Sequence, residues 1–247
     1  MRIGTTLAAC GLAALSLGAC AAPTPPGQLI ADPYENVNRV MHGFNVAADR
    51  FVLRPAAQVY DVATPTLFQH MLGNFVEHVR LPLIFINNVL QADVDGALET
   101  AGRFGVNTLV GAGGLLDPAT EFGLPFEDNG FGVTLAEWGA EEGVFVVLPV
   151  LGPATSRDAF GRIGNIAMNP LTYVTFGGGT GQIAAAVGEF VGPVIILRDQ
   201  NFEIIDSVLY DSEDSYVATR TGYVLSRRNR IADGVVDVEA LPDVFAE

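Results

Sequence analysis

Asp32-Pro33-Tyr34-Glu35-Asn36-Val37-Asn38-Arg39-Val40-Met41-His42-Gly43-Phe44-Asn45 decides the fold. An Asp with Pro next to it and Glu three positions on marks a helix start: the Asp oxygen caps free amides, Pro fits the first turn, and the Glu favours the positive end. From there Tyr34, Val37, Met41, Phe44, Ala48 and Phe51 recur every three or four residues, one apolar stripe of an amphipathic helix. Pro55 interrupts the pattern. A second start at Thr64-Pro65 leads into Phe68, Met71, Leu72, Phe75, Val76 and Val79. Asp95 opens a third helix with Leu98, Ala101, Phe104 and Leu109 on one side and Glu99 with Arg103 as an i,i+4 pair. Gly102 and Gly105 thin that helix on one side, where another backbone can approach.

Further along, residues 102–152 hold eleven of the chain's 28 glycines, which predicts short helices and turns. Val144 to Leu151 is a continuous apolar run, and periodicity alone admits either a strand or a buried helix. Ser156 is placed to cap a short helix bearing Asp158 and Arg162. Two longer helices are expected over 181–210 and 213–231, the second preceded by Asp211-Ser212. The predicted fold class is all-α, a single domain of amphipathic helices.

Upstream of the helices, Arg2 precedes a short apolar core, Leu7 to Leu17, and then Leu17-Gly18-Ala19-Cys20. The core is too short to span a bilayer and reads as a secretory signal over 1–19. Its end resembles a bacterial lipobox, in which Cys20 becomes the acylated first residue; the alternative is an ordinary signal with an incidental cysteine. Leu7-Ala8-Ala9-Cys10 is similar but has too little apolar sequence before it. With Cys10 removed, one cysteine remains, so no disulfide and no cysteine-based metal set is expected. Residues 20–31 are read as lipidated cysteine and tether, with prolines at 23, 25 and 26. Ala21 rather than Asp after the cysteine favours the outer membrane.

The 247-residue chain is 49% hydrophobic and only 17% charged, with a net charge of -15 and arginine as its sole cation besides histidine. Its mean hydropathy is +0.34. That excludes disorder, and the acidic balance argues against nucleic acid and against electrostatic docking on anionic lipid. The longest uncharged stretch downstream of the signal, Ile163 to Gly188, is broken by Asn165, Asn169, Pro170 and Gly177-Gly178-Gly179. A spanning helix needs ~20 unbroken apolar residues, so no span is expected. The stretch suits a shallow seat in lipid, a mobile hairpin, or a buried loop and core helix.

Signatures of catalysis are missing: no GxSxG, HExxH or P-loop occurs, and Gly111-Ala112-Gly113-Gly114 lacks the strand–helix context of a dinucleotide site. No cofactor is expected. His70, Asn74 and His78, with Glu77 beside them, share a helix face that reads as a metal-ligand set or, more simply, as a solvated polar face. Asp93 and Asp95 stand at a helix start, where acids are favoured in any case. On the last helix Tyr216, Arg220, Tyr223 and Arg227 share a face, with Arg228 and Arg230 close by. Guanidinium and phenol suit a phosphate headgroup at a bilayer interface, or else the arginines complement the helix dipole and neighbouring acids.

Several long motifs in one order give a resemblance. They are Asp32-Pro33-Tyr34-Glu35 with Asn38-Arg39 and Phe44-Asn45; Arg54-Pro55; Leu90-Gln91-Ala92-Asp93; and Arg103-Phe104-Gly105-Val106-Asn107-Thr108 through Gly111, Gly113 and Gly114 to Asp117. Phe131-Gly132-Val133-Thr134-Leu135, Leu148-Pro149 to Gly152-Pro153 with Arg157-Asp158, and Asp214 to Gly234 complete the set. The chain resembles the MlaA (VacJ) family of outer-membrane phospholipid-transport lipoproteins over 32–234; Ile163 to Gly188 matches weakly and the acidic tail 235–247 lies outside the pattern. The resemblance implies a ring of helices around an amphipathic channel, seated in the inner leaflet of the outer membrane and facing the periplasm. It implies phospholipid as cargo, a trimeric porin and a soluble periplasmic lipid carrier as partners, and transport rather than catalysis. A structural lipoprotein that only binds a porin, and a lipid hydrolase, are the competing classes.

Overall fold

Helices account for nearly all regular structure in the computed structural model, which describes residues 29–170 and 192–232. Helix α1 (Glu35–Ala48) runs through a π turn (Asp49–Leu53) into α2 (Arg54–Ala63), and α3 (Thr66–Leu90) is followed by α4 (Val94–Leu109). Short helices α5 (Pro118–Glu121) and α6 (Phe131–Glu137) lead to strands β1 (Phe145–Leu148) and β2 (Gly152–Thr155). Then come α7 (Ser156–Met168), α8 (Gly192–Gln200), α9 (Phe202–Asp206), a second π turn (Ser207–Asp211) and α10 (Ser215–Ile231). The mostly helical class agrees with the sequence, and no helix among the described residues is long and apolar enough to cross a membrane.

Several boundaries differ for identifiable reasons. Asp32 does not cap α1, whose N-cap is Tyr34; its carboxylate turns into tertiary contacts instead. Pro55 does not end the first helix. The π turn before it widens the ladder, with the Arg54 amide donating to the carbonyl of Asp49, and so makes room for the ring. The third helix is capped by Asp93, whose side chain accepts from the Gly96 amide at 3.0 Å, two residues before the expected start. Val144–Leu151 resolves to the strand β1, and β2, which carries no strand-like pattern, pairs with it antiparallel in the register Phe145↔Thr155. Thr155 rather than Ser156 caps α7, and Asp214 rather than Asp211 or Ser212 caps α10. The helix expected over 181–210 has its described part split at Asn201. Its start, Cys20, most of Ile163–Gly188 and the tail 235–247 lie outside the described residues.

Residues 29–31 are not tether. Ile30 and Ala31 are buried, and Ala31 accepts a hydrogen bond from the Phe145 amide at 2.9 Å. Ile30 joins Phe145, Val147, Tyr216 and Val224 in one apolar core beneath the hairpin. A Cβ placed on Gly102 or Gly105 would meet no other backbone within 4 Å; the close approach is made instead by Gly132 of α6 against Gly161 of α7. A Cβ on Gly161 would lie 2.5 Å from the Gly132 nitrogen and so would push the helices apart, while one on Gly132 would meet the side chains of Asp158 at 2.6 Å and Arg227 at 2.8 Å.

Across the helices the burial is reversed. Most of the stripe chosen by periodicity faces outward: Tyr34, Val37, Phe44 and Phe51 on α1 and its π turn, Phe68, Leu72 and Phe75 on α3, Leu98, Phe104 and Leu109 on α4 are exposed, while Met41, Ala48, Met71, Val76 and Val79 are half-buried. Facing inward on the same helices are Asn38, His42 and Asp49, then His78, Asn87 and Asn88 beside Leu81 and Ile84, then Thr100, Arg103 and Asn107 beside Ala97. The sequence period is correct and its direction is opposite to that of a water-soluble helix.

Candidate functional site

Buried polar groups have to be hydrogen-bonded, and here they build the interior. From α3 to α4, Asn88 donates to Thr100 at 3.0 Å; toward α6, Thr134 donates to Asn87 at 2.9 Å and Gln91 to Thr134 at 2.8 Å. One turn further, Arg103, 3% exposed, donates to Asp117 at 2.8 Å, to Thr120 at 2.8 Å and to the Leu124 carbonyl at 2.6 Å. Asn107 donates to the other Asp117 oxygen at 2.9 Å and accepts from the Ala119 amide. Burial pushes the Asp117 carboxyl up, but the hydrogen bonds from Thr120, Asn107 and Arg103 win and hold it below the ordinary carboxylate range. The expected surface pair Glu99–Arg103 therefore gives way to a buried one.

The glycines beside this knot have separate reasons. A Cβ on Gly111 would meet the Leu116 carbonyl at 2.5 Å, and one on Gly114, at φ +91, would meet the His78 ring at 2.3 Å. Gly113, at φ +74, has open space around it and needs only the left-handed backbone. His78 stacks on Phe104 with ring centroids 4.8 Å apart and lies 3.3 Å from the Thr108 hydroxyl; burial lowers its pKa. Asn74 donates to the Leu115 carbonyl. The face of His70, Asn74 and His78 is thus turned inward past its first turn rather than solvated, and no metal-holding group of acids, His or Cys stands among the described residues.

Three further carboxylates lock distant segments. Asp49 accepts from Arg198 at 2.8 Å and from Tyr210 at 2.7 Å; Arg198 also holds Asp206, which takes Arg54 at 2.7 Å. Asp32, its side chain fully buried, accepts from Asn38 at 2.8 Å, from Arg220 at 2.9 Å and from the Tyr216 hydroxyl. Asp158 accepts from Arg227 at 2.7 Å and from Tyr223 at 2.5 Å. Burial and the carboxylate neighbours hold both tyrosines well above their ordinary pKa. The face of Tyr216, Arg220, Tyr223 and Arg227 is therefore turned onto Asp32 and Asp158, and its donors do not point out toward a headgroup. Arg228 likewise pairs with Glu142 rather than extending that face.

The motif positions scatter into these locks instead of forming one site. Arg39 bridges Glu35 and Asp214, and Asn45 holds the hairpin turn by donating to the Leu148 carbonyl and accepting from the Val150 amide. Phe44 is exposed. Pro33 and Pro55 set backbone. Sequence reasoning missed Asp49, Arg198, Asn87 and Asn88; the available signal was their spacing on the face opposite each apolar stripe.

A cavity of about 570 Å³ opens between α3, α7 and α8, closed on one side by the loop at Phe126–Asp128 and by Arg230. Val76, Val79, Leu83, Ile196 and Leu197 line it with hydrocarbon, while Glu77, Arg80, Asp128, Arg162 and Arg230 add charge. Burial raises Glu77 above its ordinary range and lowers Arg162, whose guanidinium donates to the Leu151 and Pro153 carbonyls. Such a mixed wall fits an amphiphile.

The sequence profile of the MlaA lipoprotein family matches residues 30–230. The chain belongs to the MlaA lipoprotein family. Its relatives include the intermembrane phospholipid transport system lipoprotein MlaA of Escherichia coli, 31% identical over 90% of this chain and 89% of that one. The Haemophilus influenzae MlaA is 29% identical over 98% and 97%. A Rickettsia felis protein is 36% identical over 78% of this chain and 74% of its own. A solved structure described as the structural basis for maintenance of bacterial outer membrane lipid asymmetry superimposes with a TM-score of 0.70. It shows 32% identity and covers 82% of this chain and 99% of that one. The match to the family profile begins at Ile30, where the described core also begins.

Proposed function

We propose that this MlaA lipoprotein takes phospholipids mislocalised to the outer leaflet of the outer membrane and passes them to a soluble periplasmic carrier, a step of intermembrane phospholipid transport that preserves lipid asymmetry. The observation that carries the reading is the reversal of its helices: apolar stripes outside, a hydrogen-bonded polar interior, and a cavity with both hydrocarbon and charge. Apolar surface outside is stable only against hydrocarbon or a partner, at ~25 cal/mol per Å² removed from water. A polar interior is what a headgroup needs to pass acyl chains. The names of the E. coli and H. influenzae relatives support the same reading.

In this account residues 1–19 are cleaved, Cys20 carries the lipid anchor, and the helices sit in the inner leaflet as a ring around an amphipathic channel, facing the periplasm and docked on a trimeric porin. One acyl chain binds a membrane only marginally, so the anchor and the outward stripes act together. Translocation makes and breaks no covalent bond, so the protein needs no nucleophile or cofactor for it. Deleting the gene and measuring outer-leaflet phospholipid tests the proposal: accumulation is expected, and an unchanged outer leaflet contradicts it. Hydrolysis of phospholipid vesicles by the purified protein would favour an enzyme instead.

A further inference from the structure

We propose that Arg80, Asp128 and Arg230, at the rim of the 570 Å³ cavity, form the seat for the phosphate of a glycerophospholipid headgroup. The inference rests on reading the cavity as a lipid site and names the residues that hold the cargo there. Arg80 comes from α3 and Arg230 from the end of α10, yet both reach the same carboxylate. Arg80 Nη2 binds Asp128 Oδ1, and Arg230 Nη1 binds Asp128 Oδ2 at 2.6 Å. One acid shared by two guanidiniums leaves an excess positive charge, in a chain whose net charge is -15. The less exposed arginines are matched differently: Arg103 sits between Glu77 and Asp117, Arg198 between Asp49 and Asp206, and Arg227 on Asp158. Among the described residues, no second carboxylate lies within ion-pair distance of either Arg80 or Arg230.

The surroundings define the ligand. Both guanidiniums are about half exposed, 44% and 51%, and each has five donors, so a phosphate can be taken in bidentate fashion in competition with Asp128 for those donors. Arg162 lines the same space and adds a third cation; Glu77, paired at 3.6 Å with Arg103, is the acid that opposes it. Below the rim, Val76, Val79 and Leu83 on the helix of Arg80 face Ile196 and Leu197 across the cavity. An inorganic phosphate would satisfy only the rim, and a neutral diglyceride only the walls. A phosphate ester of diacylglycerol satisfies both.

The test uses full-length lipidated protein in dodecyl maltoside, titrated separately with dihexanoyl-phosphatidylcholine, dihexanoylglycerol and inorganic phosphate. R80Q/R230Q is expected to weaken the phospholipid at least tenfold and to leave the diglyceride unchanged. D128N, which frees both guanidiniums, is expected to tighten the phospholipid several-fold, a gain that misfolding cannot mimic. Unchanged phospholipid affinity in R80Q/R230Q, an equal loss for the diglyceride, weaker binding by D128N, or phosphate binding without phospholipid binding would each overturn the assignment. Wild-type protein that takes neither phospholipid nor diglyceride would instead remove the reading of the cavity as a lipid site.

Discussion

Two regions of this protein are built on opposite rules. Beneath the β hairpin, Ile30, Phe145, Val147, Tyr216 and Val224 make an apolar core of the kind found in water-soluble domains. Along α3, α4 and the first π turn, the inside is mostly polar, with Asn87, Asn88, Thr100, Arg103, Asn107 and Asp49 beside Leu81, Ile84 and Ala97, while phenylalanines and valines face out. The first region is stable because water is expelled from hydrocarbon. The second holds together through directional hydrogen bonds and ion pairs whose desolvation is offset only if every partner is present. The first should tolerate changes of shape, and the second should not tolerate the loss of one charge.

The largest effects should come from attacking each interior in its own terms. Asp49→Ala takes one of two carboxylates from the Arg198 guanidinium, which is 97% buried, and the acceptor from Tyr210, at a cost of about 3–5 kcal/mol. That equals the roughly 3–5 kcal/mol expected for emptying the hairpin core with Phe145→Ala. Denaturant unfolding in detergent measures both; a cost below about 1 kcal/mol for Asp49→Ala would show that the polar interior contributes little. Next come two glycines one residue apart. Gly113→Ala should cost about 1–2 kcal/mol from its backbone alone, and Gly114→Ala clearly more because its Cβ also meets His78. Equal costs would mean that the contact with His78 relaxes freely.

Acid should separate the regions as well. Asp117 and Asp158 have pKa values below the ordinary carboxylate range in the folded protein, because donated hydrogen bonds outweigh burial. A depressed folded pKa adds stability that is complete above the unfolded value, ~3.9, and disappears as pH falls through the folded one. Melting temperature should therefore fall as pH drops below ~4, less steeply in Asp158→Asn, whose starting stability is lower. The smallest effect on folding is expected on the outside. Phe51→Ser and Val62→Ser, at 76% and 88% exposure, should change unfolding in detergent by no more than about 0.5 kcal/mol. The pair should nevertheless weaken vesicle binding about tenfold or more, as expected when side chains worth ~1.5–3 kcal/mol each leave hydrocarbon.

This contrast also explains how much was legible in the sequence. Helix positions followed from the three-and-four spacing of Tyr34, Val37, Met41 and Phe44, because periodicity depends only on helix geometry. Which face turned inward did not follow, since the same stripe suits a core in water or a coat in lipid. Composition held the missing hint: a chain 49% hydrophobic with 17% charge has more apolar stripe than one interior can use. The long-range pairs were illegible because Asp32 and Arg220, or Asp158 and Arg227, are brought together only by the tertiary fold. Arg103 shows the same limit locally: its spacing from Glu99 was correct for a surface pair, but its side chain lies on the buried face. The short strand β2 was hidden by Gly152 and Pro153, which form strand only because β1 offers an edge.

The central claim is that the outward stripes meet hydrocarbon. Nitroxide labels at Val62, Leu98 and Leu109, each outside the cavity and exposed, report this directly in vesicles containing the lipidated protein. Collisions with oxygen should dominate those with a water-soluble nickel chelate at all three positions. Nickel collisions dominating at all three would place these faces in water and contradict the account.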